Sequence, residues 1–209
     1  MHLLREEDVA GRFRRDRYVV LRGFLTGFAL DAAYEYARDA AEGPRATLED
    51  PQVPGTPTLS ADPVMETLLV KLNARVERLL EMSLFPTYSF CRVYKRGAVL
   101  DEHMDRPACE VSVSLSLGYE AKRPWPLWVR RKDRPTPISL EAGDALAYQG
   151  PRILHWRRAF DGELAAQVFL HYVQQDGEYA HLRFDGRPGL ALPADPETLP
   201  EPIRTLDLK

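Results

Sequence analysis

Apolar side chains recur at helical spacing through the first 85 residues and at alternate positions after Pro86, which divides the chain into a helical and a strand-rich part. Residues 6 to 15 suit a short helix. Tyr18, Val19, Val20 and Leu21 form a β-branched, aromatic run stopped by Gly23, the pattern of a strand. Thr26 or Asp31 can cap a second helix, with Leu30, Tyr34, Ala37 and Ala41 on one face, which closes at Gly43-Pro44. Residues 44 to 63 are rich in Pro, Thr, Ser and Gly and have no period, so they predict a long loop of the kind that forms lids. Asp62 as N-cap and Pro63 in the first turn open a third helix. Met65, Leu68, Leu69, Leu72, Val76 and Leu79 then repeat at helical spacing until Phe85-Pro86.

Beyond Pro86 the short alternating runs predict strands at 87–95, 109–117, 126–131, 136–140, 145–149, 152–158 and 165–173. The Pro-, Gly- and charge-rich tail from Asp176 is expected to wrap the surface. Strands in series behind a helical N-terminal part predict an α+β chain, mainly β with N-terminal helices, built as a β-sandwich or barrel with helices on one face.

The length of 209 residues fits one large domain, and 44% hydrophobic with 28% charged residues is an ordinary globular composition. A net charge of -3 argues against a polyanion, so no nucleic acid is expected as partner. The clusters Arg12, Arg14, Arg15, Arg17 and Arg130, Arg131, Lys132, Arg134 are broken by acidic or proline residues and read as solvated surface. Cys91 and Cys109 are too few for a disulfide framework and fit a reducing compartment as small core residues. The N-terminus is charged where a signal peptide would be apolar, and no run approaches a membrane span, so the expected location is cytoplasmic.

Chemistry concentrates at His103-Met104-Asp105. An imidazole and a carboxylate at i and i+2 leave the same face of an extended chain and converge on one point. Two histidines and one carboxylate on one face of a metal leave its other positions open, the arrangement of non-haem Fe(II) oxygenases, and His155 can supply the third ligand. His-x-Asp alone carries little weight, but its context adds to it. Upstream lie Ser89 to Tyr94 and the turn Lys95-Arg96-Gly97; downstream, Glu141 to Leu146 precede Gly150, Pro151 and Ile153-Leu154-His155.

RVYKRGAVLDEHMD resembles the strand, glycine turn and metal-binding strand of 2-oxoglutarate-dependent oxygenases, in the order found in AlkB-type demethylases and prolyl hydroxylases. GDALAYQGPRILHW resembles the family's Gly-Asp turn, strand and distal histidine, and FRRDRYVVLRGFL is similar to phytanoyl-CoA-hydroxylase-like members. The resemblance covers most of residues 13–173, with its strongest motifs between 88 and 172. It implies a double-stranded β-helix, a cupin-like jelly roll, in one domain over 1–209: helical support at 1–85, the jelly-roll core at 86–175 and a tail at 176–209. It also implies Fe(II) held by His103, Asp105 and His155, with 2-oxoglutarate and O2 as co-substrates.

Tyr94 matches the position where the family sets a hydroxyl against 2-oxoglutarate, and Arg92 shares its strand face. The family's usual Arg or Lys after the distal histidine is missing, since the expected stretch reads Leu164-Ala165-Ala166-Gln167. Arg157, on the face of His155, is the first substitute for anchoring the far carboxylate, with Arg92 and Arg106 behind it and Gln167 as a hydrogen-bonding partner. His171 is read as a hydrogen-bonded core residue rather than a ligand, and Trp125, Trp128 and Trp156 as core. The implied activity is oxidation of an unactivated C–H bond of a small molecule, with release of succinate and CO2, by a monomer or homodimer. The loop at 44–62 is expected to shape the substrate pocket. The alternatives are a protein side-chain hydroxylase, a cupin-like isomerase without 2-oxoglutarate, a scaffold that has lost its metal, and an AlkB-like demethylase that would need a basic groove.

Overall fold

The computed structural model describes residues 6–190. Three helices, α1 (Glu6–Asp16), α2 (Phe28–Ala41) and α3 (Pro63–Leu80), precede or alternate with two strands, β1 (Tyr18–Leu21) and β2 (Thr58–Ser60). Eight further strands follow: β3 (Leu84–Lys95), β4 (Leu100–His103), β5 (Val111–Glu120), β6 (Leu127–Arg131), β7 (Arg134–Ile138), β8 (Ala145–Tyr148), β9 (His155–Arg157) and β10 (Leu164–Gln174). They form a six-stranded sheet in the order β1-β8-β5-β10-β3-β2 and a four-stranded sheet in the order β4-β9-β6-β7. All pairings between named strands are antiparallel, and the two sheets enclose a common interior: the double-stranded β-helix expected from the resemblance.

The six-stranded sheet is buried on both faces. In β5, Val111, Val113, Leu115 and Leu117 pack into the helix-covered core, while Ser112, Ser114 and Ser116 are buried on the opposite face. In β10, Ala166, Val168, Leu170 and Tyr172 face the helices, and Gln167, Phe169 and His171 alternate with them toward the interior. Phe13 of α1, Ala33 and Ala37 of α2 and Met65, Leu69, Leu72 and Val76 of α3 complete the outer core. Burying one such side chain contributes about 1.5–3 kcal/mol, so this layer holds the sheet rigid behind the interior face.

Several local expectations need correction. α2 starts at Phe28 behind Gly27, whose φ of 62° fits glycine, and no side chain caps it; neither Thr26 nor Asp31 does so. Asp62 does cap α3, its carboxylate accepting from the amides of Val64 and Met65, but the helix stops at Leu80 because Glu81 turns left-handed at φ 55°. Pro86, read as a stop, lies inside β3 opposite Tyr172, where the ladder shifts register and tolerates a missing amide. The 44–63 loop holds strand β2, and Thr47 exchanges two backbone hydrogen bonds with Thr58, so the loop is stitched at its base. Strand β4, four residues reading Leu-Asp-Glu-His, runs into the His-x-Asp motif and shows no apolar alternation of its own. Trp125 is buried as expected, but Trp128 and Trp156 are half-exposed and stack 6.1 Å apart on the outside of the smaller sheet.

The tail does wrap the surface as far as it is described. Arg187 is buried and reaches Glu66 of α3 and the carbonyl of Thr87 in β3, the latter at 2.9 Å. The rest of the expected tail, 191–209, lies outside the described residues. Among those described, no helix is long and apolar enough to cross a membrane. Both arginine clusters enter surface ion pairs, including Arg14 with Glu81, Arg131 with Asp16 and Arg130 with Glu102.

Candidate metal centre

His103 ends β4 and His155 begins β9, and the two are direct cross-strand partners with ring centroids 4.3 Å apart. Asp105 lies just past β4, and its Oδ1 stands 3.5 Å from the Nε2 atoms of both histidines. The three ligating atoms all lie within 4.8 Å of one another, and no fourth His, Cys, Asp or Glu among the described residues joins them. Both rings are oriented by backbone carbonyls. His103 Nδ1 meets Asp101 O at 2.8 Å and His155 Nδ1 meets Ile153 O at 3.1 Å. A carbonyl only accepts, so each Nδ1 carries the proton and each Nε2 turns a lone pair toward Asp105, the tautomer a metal ligand needs.

The segment carrying Asp105 is held by neighbouring backbone. Its amide donates to Gly150 O at 3.1 Å, and Gly150 leaves room for its carboxylate: a Cβ there would stand 2.6 Å from Asp105 Oδ2. Ser112 Oγ approaches the same Oδ2 at 3.4 Å. Burial alone would raise the Asp105 carboxyl, but the contact with His103 and the charges available on His155 and His171 hold it well below the usual range. His155 is pushed down by burial. His103, also opposed by burial, is raised overall by Asp105 and the Asp101 carbonyl. The Gly-Asp turn before β8 has a structural explanation too. Asp144 accepts from the amides of Gly23 and Glu141 and from Arg22, tying β8 to the chain after β1.

The three groups open into a cleft of about 630 Å³ with Tyr88, Phe90, Phe169 and His171 along one side. The arginines named from the sequence divide sharply. Arg157 is buried on the same strand face as His155, donates through Nη1 to Trp125 O at 2.5 Å, and leaves Nε with no partner. No carboxylate among the described residues pairs with it, and burial pushes its guanidinium down. Arg92 shares a face with Tyr94, as the strand period requires, donating to its hydroxyl at 3.4 Å; its charge is taken by Asp50 at 2.6 Å and its Nη2 by Gln52 Oε1 at 2.5 Å. Arg106 sits at the cleft in a two-bond ion pair with Asp185, at 2.5 and 2.7 Å. Gln167 is buried beside Ser114, whose hydroxyl donates to it at 3.3 Å, and Tyr94 packs edge-on against Trp125 at 4.9 Å.

Sequence reasoning missed Asp50, Gln52 and Asp185, which carry no local signal. It also missed Ser112 and Ser114, whose signal is a polar residue at every second place of β5. His171 is the hydrogen-bonded core residue expected, 2.9 Å from Ser112 Oγ and outside the ligand set.

No protein-family profile and no curated protein sequence matches the chain. Solved structures do match. The non-haem α-ketoglutarate-dependent epimerase SnoN from nogalamycin biosynthesis superposes with a TM-score of 0.70 at 17% identity, covering 93% of this chain and 94% of that one. A Pseudomonas putida prolyl-4-hydroxylase gives 0.67 at 15% identity over 80% and 97%. HygX from Streptomyces hygroscopicus, holding nickel, 2-oxoglutarate and hygromycin B, gives 0.63 at 12% identity over 81% and 87%. Two sheets, ten strands and the helical layer of this chain thus have the fold of the Fe(II)/2-oxoglutarate-dependent oxygenases.

Proposed function

We propose that the protein is an Fe(II)- and 2-oxoglutarate-dependent dioxygenase that oxidises an unactivated C–H bond of a small molecule, with His103, Asp105 and His155 as its metal ligands. The observation that carries this reading is the pair of Nε2 lone pairs and one carboxylate oxygen converging at the wall of an open cleft, with a buried and unpaired Arg157 on the same strand face. The donor set fits Fe(II), because two imidazoles and a carboxylate on one side leave positions for two further ligands. Bound there, Fe(II) with 2-oxoglutarate and O2 supplies the oxidising equivalent, and succinate and CO2 leave. HygX, with nickel and 2-oxoglutarate bound on the same fold, supports the pairing of co-substrate and metal.

The chain's own residues have distinct tasks. The carbonyls of Asp101 and Ile153 keep both imidazoles in the ligating tautomer. Arg157 binds the far carboxylate of 2-oxoglutarate, replacing the missing cation at 164–167. A buried cation without a counter-ion is costly, and an incoming carboxylate compensates that cost with charge-assisted bonds. Gln167 and the Tyr94 hydroxyl, buried behind the cleft lining, are the further hydrogen-bonding groups for that carboxylate, whereas Arg92 acts by docking the 44–57 loop through Asp50 and Gln52. That loop and the sheet keep water from the reacting C–H bond. The reading takes 1–209 as one domain with helical support, jelly roll and tail as divided above, working in the cytoplasm as monomer or homodimer.

The test is succinate release from 2-oxoglutarate under air with Fe(II) and a compound panel, with product mass followed alongside. A product gaining one oxygen atom identifies hydroxylation. A product of unchanged mass but inverted configuration, formed with a reductant such as ascorbate supplied to consume the oxidising equivalents, identifies epimerisation, the activity named for SnoN. Folded protein that binds neither Fe(II) nor 2-oxoglutarate overturns the proposal.

A further inference from the structure

His171 is 5% exposed on the interior face of β10, yet it borders the cleft. Its plane is fixed by Tyr88, with ring centroids 4.5 Å apart, and by Phe169, stacked parallel at 6.5 Å. Its Nδ1 is engaged on the protein side, 2.9 Å from Ser112 Oγ. Ser112 Oγ also reaches Cys109 O at 3.2 Å and Asp105 Oδ2 at 3.4 Å, and both of those atoms can only accept. Directing the single hydroxyl proton to one of these oxygens makes Ser112 Oγ the acceptor from His171 Nδ1–H, whereas directing it to Nδ1 would leave both oxygens without it. In the first arrangement Nε2 is a bare lone pair. Nε2 has no hydrogen-bond partner among the described residues and is not among the sealed orphan atoms of the interior, so it faces the cleft.

Besides the metal ligands, the cleft lining carries no unpaired charge for an ionic substrate among the described residues, and Arg157 behind it is taken by 2-oxoglutarate in the oxygenase reading. Arg92 is paired with Asp50 and Arg106 with Asp185. Tyr88, Phe90 and Phe169 supply a wall suited to a ring or other apolar body. We propose that His171 determines specificity here, its Nε2 accepting a hydrogen bond from a hydroxyl group on an uncharged substrate; this rests on the oxygenase reading of the same cleft. Burial pushes the imidazole down to about 4, which keeps the acceptor lone pair present at neutral pH. A site built to accept one proton discriminates strongly against the analogue lacking it, because the buried acceptor is then left unpaired.

The assignment is tested by two-bond ¹H–¹⁵N correlation spectroscopy of the imidazoles, on the metal-free and the zinc-loaded protein with 2-oxoglutarate, His171 being assigned through its contacts with Tyr88. The expected spectrum shows His171 protonated at Nδ1 only. Phenol, a neutral ring with one hydroxyl, should shift the Nε2 resonance saturably, and anisole, its methyl ether, should leave it in place. An Nε2–H tautomer, an anisole response equal to that of phenol, or no phenol response overturns the proposal. Turnover is not required, so a failed succinate assay with this tautomer and phenol response in place sinks the oxygenase reading alone.

Discussion

Gly150→Ala isolates the geometry of the metal site with one methyl group. The new Cβ would stand 2.5 Å from Cys109 O, 2.6 Å from Asp105 Oδ2 and 2.8 Å from Asp105 Cβ, all closer than Cβ atoms approach heavy atoms. Gly150 does not have a positive φ, so alanine meets no backbone strain and the whole effect is contact. The backbone cannot yield easily, since Gly150 O holds the Asp105 amide at 3.1 Å. The cheaper response is rotation of the Asp105 side chain, which withdraws Oδ1 from its place 3.5 Å from both Nε2 atoms. Overpacking of this kind costs about 1–3 kcal/mol in the metal-free protein. Changes that merely reorient a ligand weaken metal binding roughly 10–100-fold, and displacing one should reach at least the upper end, about 2.7 kcal/mol. At a metal concentration of about 1,000 times the wild-type Kd, metal stabilises wild type by about 4 kcal/mol and the variant by about 1.4 kcal/mol. For a domain of this size that removes roughly 5–11 °C from the metal-induced rise in Tm. Calorimetric titration with Ni(II) and melts with and without metal read both numbers. A Gly150→Ala protein that binds Ni(II) with wild-type affinity and keeps the full rise in Tm would refute the crowding argument. Gly11→Ala in α1, where an added Cβ meets nothing within 4 Å, is the matched control and should stabilise by about 0.5–1 kcal/mol.

Arg157→Met should leave stability unchanged or raise it by about 1–4 kcal/mol, because a buried unpaired cation gives way to an apolar chain. The same change should weaken 2-oxoglutarate roughly 100-fold, about 2.7 kcal/mol, and unchanged co-substrate binding by titration would move the anchor elsewhere. Arg187→Met removes the cation paired with the buried Glu66 carboxylate and should lower stability in urea denaturation by up to about 3–5 kcal/mol, so a loss under 1 kcal/mol would show that the tail contact is dispensable. His171 has a folded value near 4 against 6.5 when unfolded, so the unfolded chain binds more protons between those values, and stability falls as pH drops through that window. Between pH 7 and 5 metal-free wild type should lose about 2 kcal/mol more than His171→Phe, and equal losses would mean that the imidazole is hydrated.

What could be read in the sequence depended on how local each relation is. His103 and Asp105 are two residues apart, so strand geometry alone aims them together, and Arg157 was placed by the same rule relative to His155. The outer-core face of β5 and β10 followed from alternation. Alternation does not say whether the second face meets water or another sheet, which is why Ser112 and Ser114 were not recognised as part of the site. Strand β2, three residues long in a Pro- and Thr-rich stretch, is too short to show a period, and only its pairing with β3 defines it. The partners of Arg92 and Arg106 lie 42 and 79 residues away, and such distances are fixed by topology, not by any local pattern. Both aspartates nevertheless change the chemistry, because they turn two arginines that a sequence offers as carboxylate anchors into closed ion pairs and leave Arg157 as the one of the three without a carboxylate partner among the described residues. A strand covered on both faces, as β10 is by helices and by the second sheet, should carry apolar residues on each. Gln167 and His171 break that expectation at alternate positions of its interior face, and polar groups buried there must each find a partner in the chain or in what the cleft binds. Ser114 answers for Gln167, and Ser112 answers for one nitrogen of His171. The other nitrogen is the place where the fold asks for a ligand.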